Sequence, residues 1–288
     1  MKLLIVLSAL VAVALGAAIE TYEATYLPIN PNITYDDSSL KIVNGHNAAR
    51  NQFPYIVSLQ RRVLANSFSH TCGGSILSPQ WILSAAHCTQ LAASNYRVVA
   101  GIILLSDNNI VGQQILSVQQ IINHPSYPGG SVVAPDDVSV LRLSGQLQYT
   151  VNVQPISIPR QGALFQGESV LCGWGLLQTG GSTPNHLQWA NLPIVPEQEC
   201  NIILNGFLGA SRNPFSVQLN VCSGTRTGRE SACNGDSGSP LVHNGLVIGI
   251  ASWVLLPCGG MGAPSVYART AAYSDWIVRS TNGAVSLS

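Results

Sequence analysis

Three side chains spread along this 288-residue sequence are of the types that nucleophilic chemistry requires. His87 stands beside Cys88 in the stretch LSAAHC. Asp137 closes the run Pro135-Asp136-Asp137 and directly precedes the apolar stretch VSVLRL. Ser237 lies within CNGDSGSP, residues 233–240. A serine hydroxyl is a weak nucleophile at neutral pH and needs a base to take its proton as it attacks. Imidazole, with an ordinary pKa of about 6.5, suits that part. A carboxylate beside the imidazole fixes its tautomer and steadies its charged form. Each residue alone also has a plainer reading, as a core histidine, a turn aspartate or a loop serine. Gly, Asp, Ser and Pro are all turn formers. His46, His124, His186 and His243 stand in no special context.

The bulk composition narrows the setting. Charged residues are 9% of the chain, against roughly 25% in an average soluble protein. The formal charge is zero and no basic run stands out, which excludes nucleic acid as a partner. Lys2, then the mostly apolar Leu3 to Leu15, then the small Gly16, Ala17 and Ala18 read as a secretory signal peptide over 1–16. The apolar run falls short of the roughly 20 residues a spanning helix needs, so no membrane association is expected once it is removed. The protein is expected outside the cell, where disulfides persist. Its cysteines are 72, 88, 172, 200, 222, 233 and 258. Seven is odd, so one is unpaired or pairs with another chain, and spacing alone does not select partners. No C-x-x-C occurs, which argues against structural zinc. Between Ala100 and Gln114 the only carboxylate is Asp107, too few for calcium. No metal and no cofactor are expected.

These residues must be held by something. Residues 17–41 are polar and acidic, with Pro28, Pro31 and a glycosylation sequon at Asn32, and read as an exposed segment. It ends at Lys41, the only lysine beyond the signal peptide, immediately before Ile42-Val43. A lone basic residue there reads as a processing site. From Tyr55 onward, short Val-, Ile- and Leu-rich runs alternate with Gly, Pro, Asn and Ser, the pattern of an all-β sandwich or barrel. The stretch TAAYSDWIVRST predicts a short C-terminal helix with a cap at Ser274.

Across nearly all of residues 42–288 the chain resembles the chymotrypsin family of serine endopeptidases. The resemblance rests on Ile42-Val43-Asn44-Gly45, Ser84-Ala85-Ala86-His87-Cys88, Asp137-Val138-Ser139-Val140-Leu141, Gly173-Trp174-Gly175, Gly235-Asp236-Ser237-Gly238 and Ser252-Trp253, in the family's order. The order His, Asp, Ser also differs from that of the α/β-hydrolases. The resemblance implies two six-stranded antiparallel Greek-key β-barrels with a C-terminal helix, the boundary between them near 150–165. It implies His87 as general base and acid, Asp137 rather than Asp136 as its orienting carboxylate, and Ser237 as nucleophile. The backbone N–H groups of Gly235 and Ser237 would form the oxyanion hole. A cut after Lys41 by a trypsin-like protease would free the ammonium of Ile42 to pair with Asp236 and order the 235–237 backbone. His70 is a candidate for holding Asp236 in the uncut form, against a plainer reading as a surface or core histidine.

The family also implies the pairs Cys72–Cys88, Cys200–Cys222 and Cys233–Cys258, leaving Cys172 as a buried thiol or an intermolecular partner. It places Ser231 at the floor of the specificity pocket, where trypsin-like members carry Asp, and Val254 and Ser265 on walls usually made by glycine. Ser252, Trp253 and Val254 would pair with extended substrate. That pocket resembles those of elastases, which prefer small aliphatic residues; a chymotrypsin-like preference for larger ones is the alternative. The implied protein is a secreted digestive zymogen, monomeric, acting on proteins or peptides. Its rival is a non-catalytic relative that only binds partners, and a defence-cascade protease is a further alternative. Ser239 replaces a common family glycine, and the span from Cys200 to Cys222 is long enough to suggest an extended surface loop.

Overall fold

The computed structural model describes residues 42, 45–65, 67–130, 132–224, 230–260 and 262–288. The expected signal peptide 1–16, the segment 17–41 with Asn32 and Lys41, and the motif residues Val43 and Asn44 lie outside the described residues.

Six strands make the first barrel: β2 (Ile56–Leu64), β3 (Ser67–Ser78), β4 (Trp81–Ser84), β5 (Tyr96–Ala100), β6 (Gln114–Asn123) and β7 (Ser139–Leu143). Their neighbours run β2-β3-β4-β7-β6-β5 and close on themselves, every pairing antiparallel. The second barrel comprises β8 (Glu168–Gly173), β9 (Gln188–Val195), β10 (Asn220–Ser223), β11 (Pro240–His243), β12 (Leu246–Trp253) and β13 (Ser265–Arg269). It runs β9-β10-β13-β12-β11-β8 and closes through the β8–β9 pairing. The short β1 (His46–Asn47) adds to β9. Closure removes the exposed edges that short strands would otherwise present. Residues 144–167 connect the barrels.

The strands follow the sequence pattern for a physical reason. In β9, buried residues alternate with more exposed ones through Gln188, Ala190, Leu192 and Ile194, as a strand with one face on a core must. The first core packs Leu59, Ile82, Leu83, Val98 and Leu141 and continues into Val247 and Ile250 of the second barrel. The second core holds Ile42, Leu171, Leu192, Ile248 and Tyr267. A third cluster joins Ile56 and Val99 to Cys172 and Trp174. The two barrels therefore share apolar contacts along their seam.

Two helices accompany the barrels. Helix α1 (Glu197–Leu208) runs through Cys200 and forms the first part of the stretch to Cys222, where an extended surface loop was expected. Pro196 precedes it, Glu197 and Glu199 complement the dipole at its first turn, and Cys200 and Leu204 bury one stripe. Helix α2 (Thr270–Ser280) is the expected C-terminal helix, with Ala271, Tyr273, Ser274 and Ile277 inward. Ser274 is not its cap. The helix starts four residues earlier, straight from β13, and the Ser274 hydroxyl is buried, donating toward the carbonyls of Pro159 at 2.6 Å and Thr270 at 3.1 Å. The disulfides Cys72–Cys88, Cys200–Cys222 and Cys233–Cys258 form as the resemblance implied, and Cys172 is a buried free thiol. Each bridge closes a loop of 16 to 25 residues, worth about 3 kcal/mol in the chain-entropy model.

Leu141 of β7 is fully buried in the first core, four residues past Asp137. Truncation to alanine removes apolar contacts and leaves a cavity. Leu141→Ala is expected to lower unfolding free energy by about 2–5 kcal/mol in urea titration with disulfides intact.

Candidate active site

His87 projects from a 3₁₀ turn, Ala86–Thr89, that follows β4. The Cys72–Cys88 bridge ties this turn to β3. Asp137 precedes β7, which pairs with β4, so the register brings the two residues together. The Asp137 carboxylate accepts from the His87 backbone N–H through Oδ1 at 2.8 Å and from His87 Nδ1 through Oδ2 at 2.7 Å. Ser252 Oγ donates to the same Oδ2 at 2.6 Å. Asp137 is buried, while the His87 side chain is 24% exposed. Donation from Nδ1 leaves Nε2 of the neutral ring as the basic nitrogen. His87, Asp137 and Ser237 all line one cleft of about 250 Å³. Among the described residues, no hydrogen bond joins the Ser237 hydroxyl to His87.

The turn carrying Ser237 uses its backbone unevenly. The carbonyls of Cys233, Asn234, Asp236 and Ser237 accept N–H groups from Asp236, Leu176, Ser239 and Gly73 at 2.8–3.0 Å. The Gly235 carbonyl accepts from His70 Nε2 at 3.1 Å. Gly238 N–H donates to the Ala251 carbonyl. Among the described residues, the N–H groups of Gly235 and Ser237 have no acceptor. Gly235 has φ +98°, a left-handed value that side-chain-bearing residues rarely adopt. Unengaged N–H donors among the described residues therefore stand at Gly235 and Ser237, and at Asn234 before them, close along the chain to the serine hydroxyl.

Asp236 points the other way, into the protein. It is fully buried, and its oxygens accept from the N–H of Gly175 at 2.8 Å and of Cys233 at 2.9 Å. A Cβ on Gly173 or Gly175 would lie 2.2 Å from this carboxylate, so only glycine admits it. Burial pushes its pKa up to about 6, against the opposing pull of the Cys233 and Gly175 hydrogen bonds. Ile42 is also fully buried, packed with Leu171 and Ala232 in the second core.

His70 does not contact Asp236, contrary to one expectation above. Its Nε2–H donates to the Gly235 carbonyl, and its Nδ1 meets Ser58 Oγ at 2.9 Å. Burial lowers its pKa to about 4, with the Gly235 carbonyl acting in the opposite sense. A neutral ring suits a bridge between a hydroxyl and a carbonyl. Its register on β3 opposite Gln60 of β2 places it under the turn rather than beside the carboxylate.

The expected pocket residues separate into two layers. Ser252, Trp253 and Val254 line the cleft together with Ala232, Cys233 and Val266. Ser231 and Ser265 are buried beneath, facing each other at 3.1 Å. The Ser231 hydroxyl donates to the Ala232 carbonyl at 2.7 Å, and Ser265 Oγ accepts the Ala232 N–H at 3.0 Å. With its proton given to Ala232, Ser231 accepts from Ser265, and the two hydroxyls close a neutral circuit with Ala232.

Cys72, His87 and Cys88 approach closely enough to suggest a metal site, but both sulfurs are consumed in the disulfide. Asp107 accepts the N–H groups of Ile103 and Leu104 and so serves its own turn. Ser252, expected only along the substrate, also donates its hydroxyl to Asp137, a contact that leaves no trace along the sequence.

Residues 42–277 match the Trypsin family model. The chain is 36% identical over 242 residues to trypsin II-P29 of Gallus gallus, covering 82% of this chain and 88% of that protein. It is 34% identical over 244 residues to trypsin-1 of Astacus astacus, covering 82% and 98% respectively. With the trypsin of Sus scrofa it shares 33% identity over 249 residues, covering 84% and 96%.

Asp236 gives the intact chain a pH signature. Its folded pKa is raised, so its stabilising contribution is complete below the unfolded value near 3.8 and disappears as pH rises through about 6. His70 acts in the opposite sense, its contribution being present above 6.5 and lost as pH falls through about 4. Comparison with Asp236→Asn isolates the carboxylate. The stability of the parent relative to this variant is expected to fall by roughly 2–3 kcal/mol between pH 4 and pH 7, measured by urea unfolding of the uncleaved proteins.

Proposed function

Because this chain belongs to the trypsin family and is a serine endopeptidase, we propose that His87, Asp137 and Ser237 are its catalytic residues. Ser237 Oγ attacks the carbonyl carbon of a bound peptide while His87 Nε2 takes its proton. Asp137, oriented by the His87 backbone N–H and by Ser252, holds the imidazole and stabilises its charged form. The developing oxyanion is received by the N–H groups of Gly235 and Ser237. Collapse expels the amine, which takes the proton from His87. Water then attacks the acyl carbon as His87 Nε2 takes its proton, and collapse breaks the bond to Ser237 Oγ, which takes that proton back as the acid leaves. The observation that carries this reading is that, among the described residues, the N–H groups of 235 and 237 are unengaged while the carbonyls of 233–237 are engaged. Loss of one such donor costs about 100- to 1000-fold in rate.

The protein is further read as a secreted zymogen. Removal of 1–16 on export and cleavage after Lys41 by a trypsin-like protease free the Ile42 ammonium. Asp236 is the natural recipient, since it is a buried carboxylate beside the core that holds the Ile42 side chain. A buried charge gains most from a partner that arrives desolvated and hydrogen-bonded. The segment 17–41 holds no cysteine and leaves on cleavage. The mature chain, 42–288, acts as a monomer on proteins or peptides, with digestion as its setting.

Specificity follows from the neutral floor and the filled wall. An arginine or lysine side chain entering the cleft would be desolvated with only the Ser231–Ser265 circuit beneath it. Val254 on the lining adds atoms where a large ring would need space. The preferred residue before the cut is therefore small and aliphatic, such as Ala or Val.

After cleavage at Lys41, a fluorophosphonate probe is expected to label the parent and not Ser237→Ala. A peptide-library digest is expected to show cuts after Ala and Val. Val254→Gly should raise kcat/KM for Phe relative to Ala by about tenfold or more, within the range one or two methylenes can command. Predominant cutting after Arg by the parent would overturn the neutral-floor reading. Equal labelling of Ser237→Ala would overturn the assignment of the nucleophile.

A further inference from the structure

A second acid precedes Asp137, and its conformation is unusual. Asp136 has φ +66°, in the left-handed region that Asp and Asn tolerate and most other residues avoid. Contacts on three sides hold it there. Its N–H donates to the Tyr273 hydroxyl at 3.0 Å. Its carbonyl accepts the Val138 N–H at 2.8 Å. Its Oδ1 lies 3.4 Å from His124 Nδ1. That nitrogen is buried and makes no hydrogen bond, and burial lowers the pKa of the ring, so the approach is a close packing contact rather than an ion pair. The His124 ring meets Tyr273 and Trp276 of α2 edge-on, with centroids 5.2 and 5.0 Å away.

The arrangement places two adjacent carboxylates on separate partners. Asp137 is taken by His87 and Ser252, while Asp136 faces His124 and the Tyr273 hydroxyl. The left-handed residue turns the chain between them. If residue 136 relaxed to an extended or right-handed conformation, the backbone would rotate just before Asp137. The 2.7 Å contact to His87 tolerates only a small displacement. The pin that prevents this comes from α2, at the far end of the chain.

We propose that Asp136, held through its N–H by the Tyr273 hydroxyl beside His124, is a positioning residue that aims the Asp137 carboxylate at His87 and couples it to the C-terminal helix. The proposal rests on the assignment of His87, Asp137 and Ser237 as catalytic.

The test uses the full chain, cleaved after Lys41, with kcat and KM measured per active site titrated by a fluorophosphonate. Asp136→Ala keeps the position but disfavours the left-handed conformation. Tyr273→Phe keeps the ring against His124 and removes the hydroxyl that meets the Asp136 N–H and carboxylate. Both are expected to lower kcat per titrated site by about tenfold, with KM within twofold of the parent, since small misplacements of catalytic groups act on turnover. Asp136→Asn keeps both the tolerated conformation and an oxygen facing His124, and is expected to restore kcat to within about threefold of the parent. A purely structural role would lower the melting temperature and the titratable fraction without changing kcat per site. Unchanged kcat per site in Tyr273→Phe, or a loss in Asp136→Asn as large as in Asp136→Ala, overturns the proposal. Tyr273→Phe decides the matter if Asp136→Ala does not fold. Ser237→Ala in the same assay separates the two levels: its retention of turnover would sink the catalytic assignment, whereas its inactivity alongside a fully active Tyr273→Phe sinks only the part given to Asp136.

Discussion

A carboxylate removed from water constrains the whole region around the cleft. Asp236 has no solvent contact and must take its hydrogen bonds from the backbone. Gly175 and Cys233 supply them, one from the strand-following stretch after β8 and one from the start of its own turn. To reach both, residues 233–236 must coil around the acid, and Gly173 and Gly175 must lack side chains. With the side chain inward and Gly235 left-handed, the N–H groups of Gly235 and Ser237 remain unengaged beside the cleft. The price is a carboxyl whose pKa burial raises to about 6. Anionic Asp236 is therefore strained electrostatically in the intact chain, and a cation delivered to it would relieve that strain. The proposed cleavage acts on this imbalance.

A second carboxylate performs a different service across the seam. Asp137 belongs to the first barrel, yet one of its donors, Ser252, comes from β12 of the second. The apolar clusters already join the barrels through Val247 and Ile250 on one side and Cys172 and Trp174 on another. These contacts fix the relative placement to within packing tolerance, and cores this dense deform little. The hydrogen bonds at Asp137 then convert that placement into the orientation of one imidazole. Packing supplies the coarse alignment and the charged hydrogen bonds the fine one.

Much of this was legible in the sequence, for identifiable reasons. Short apolar runs broken by turn residues announce closed antiparallel sheets, and β9 keeps the strict alternation a half-buried strand needs. The motifs around His87, Asp137 and Ser237 are local, so their residues could be named before any geometry. What escaped was non-local. The Ser252–Asp137 bond spans 115 residues and the His70–Gly235 bond 165, and neither leaves a pattern along the chain. His124 carried no signal because its partners, Asp136, Tyr273 and Trp276, are assembled only by folding. Helix α1 was hidden because only Cys200 and Leu204 of its twelve residues are buried, too few to show a period. Ser274 misled as a cap because its hydroxyl is taken by the carbonyl of Pro159, again a distant partner.

The scarcity of charge in this chain sharpens the meaning of these two acids. It has 13 acidic residues in 288, and among the described residues Asp137 and Asp236 are the only buried ones. Burying an ionisable group opposes folding unless hydrogen bonds or a counter-charge offset the lost hydration. An apolar residue at either position would pack at lower cost. The acids are instead placed where each organises a different half of one cleft, Asp137 the imidazole and Asp236 the turn that bears the hydroxyl. Asp136 differs from both in being partly exposed, so its left-handed backbone and its grip on Tyr273, rather than burial, connect it to the same site.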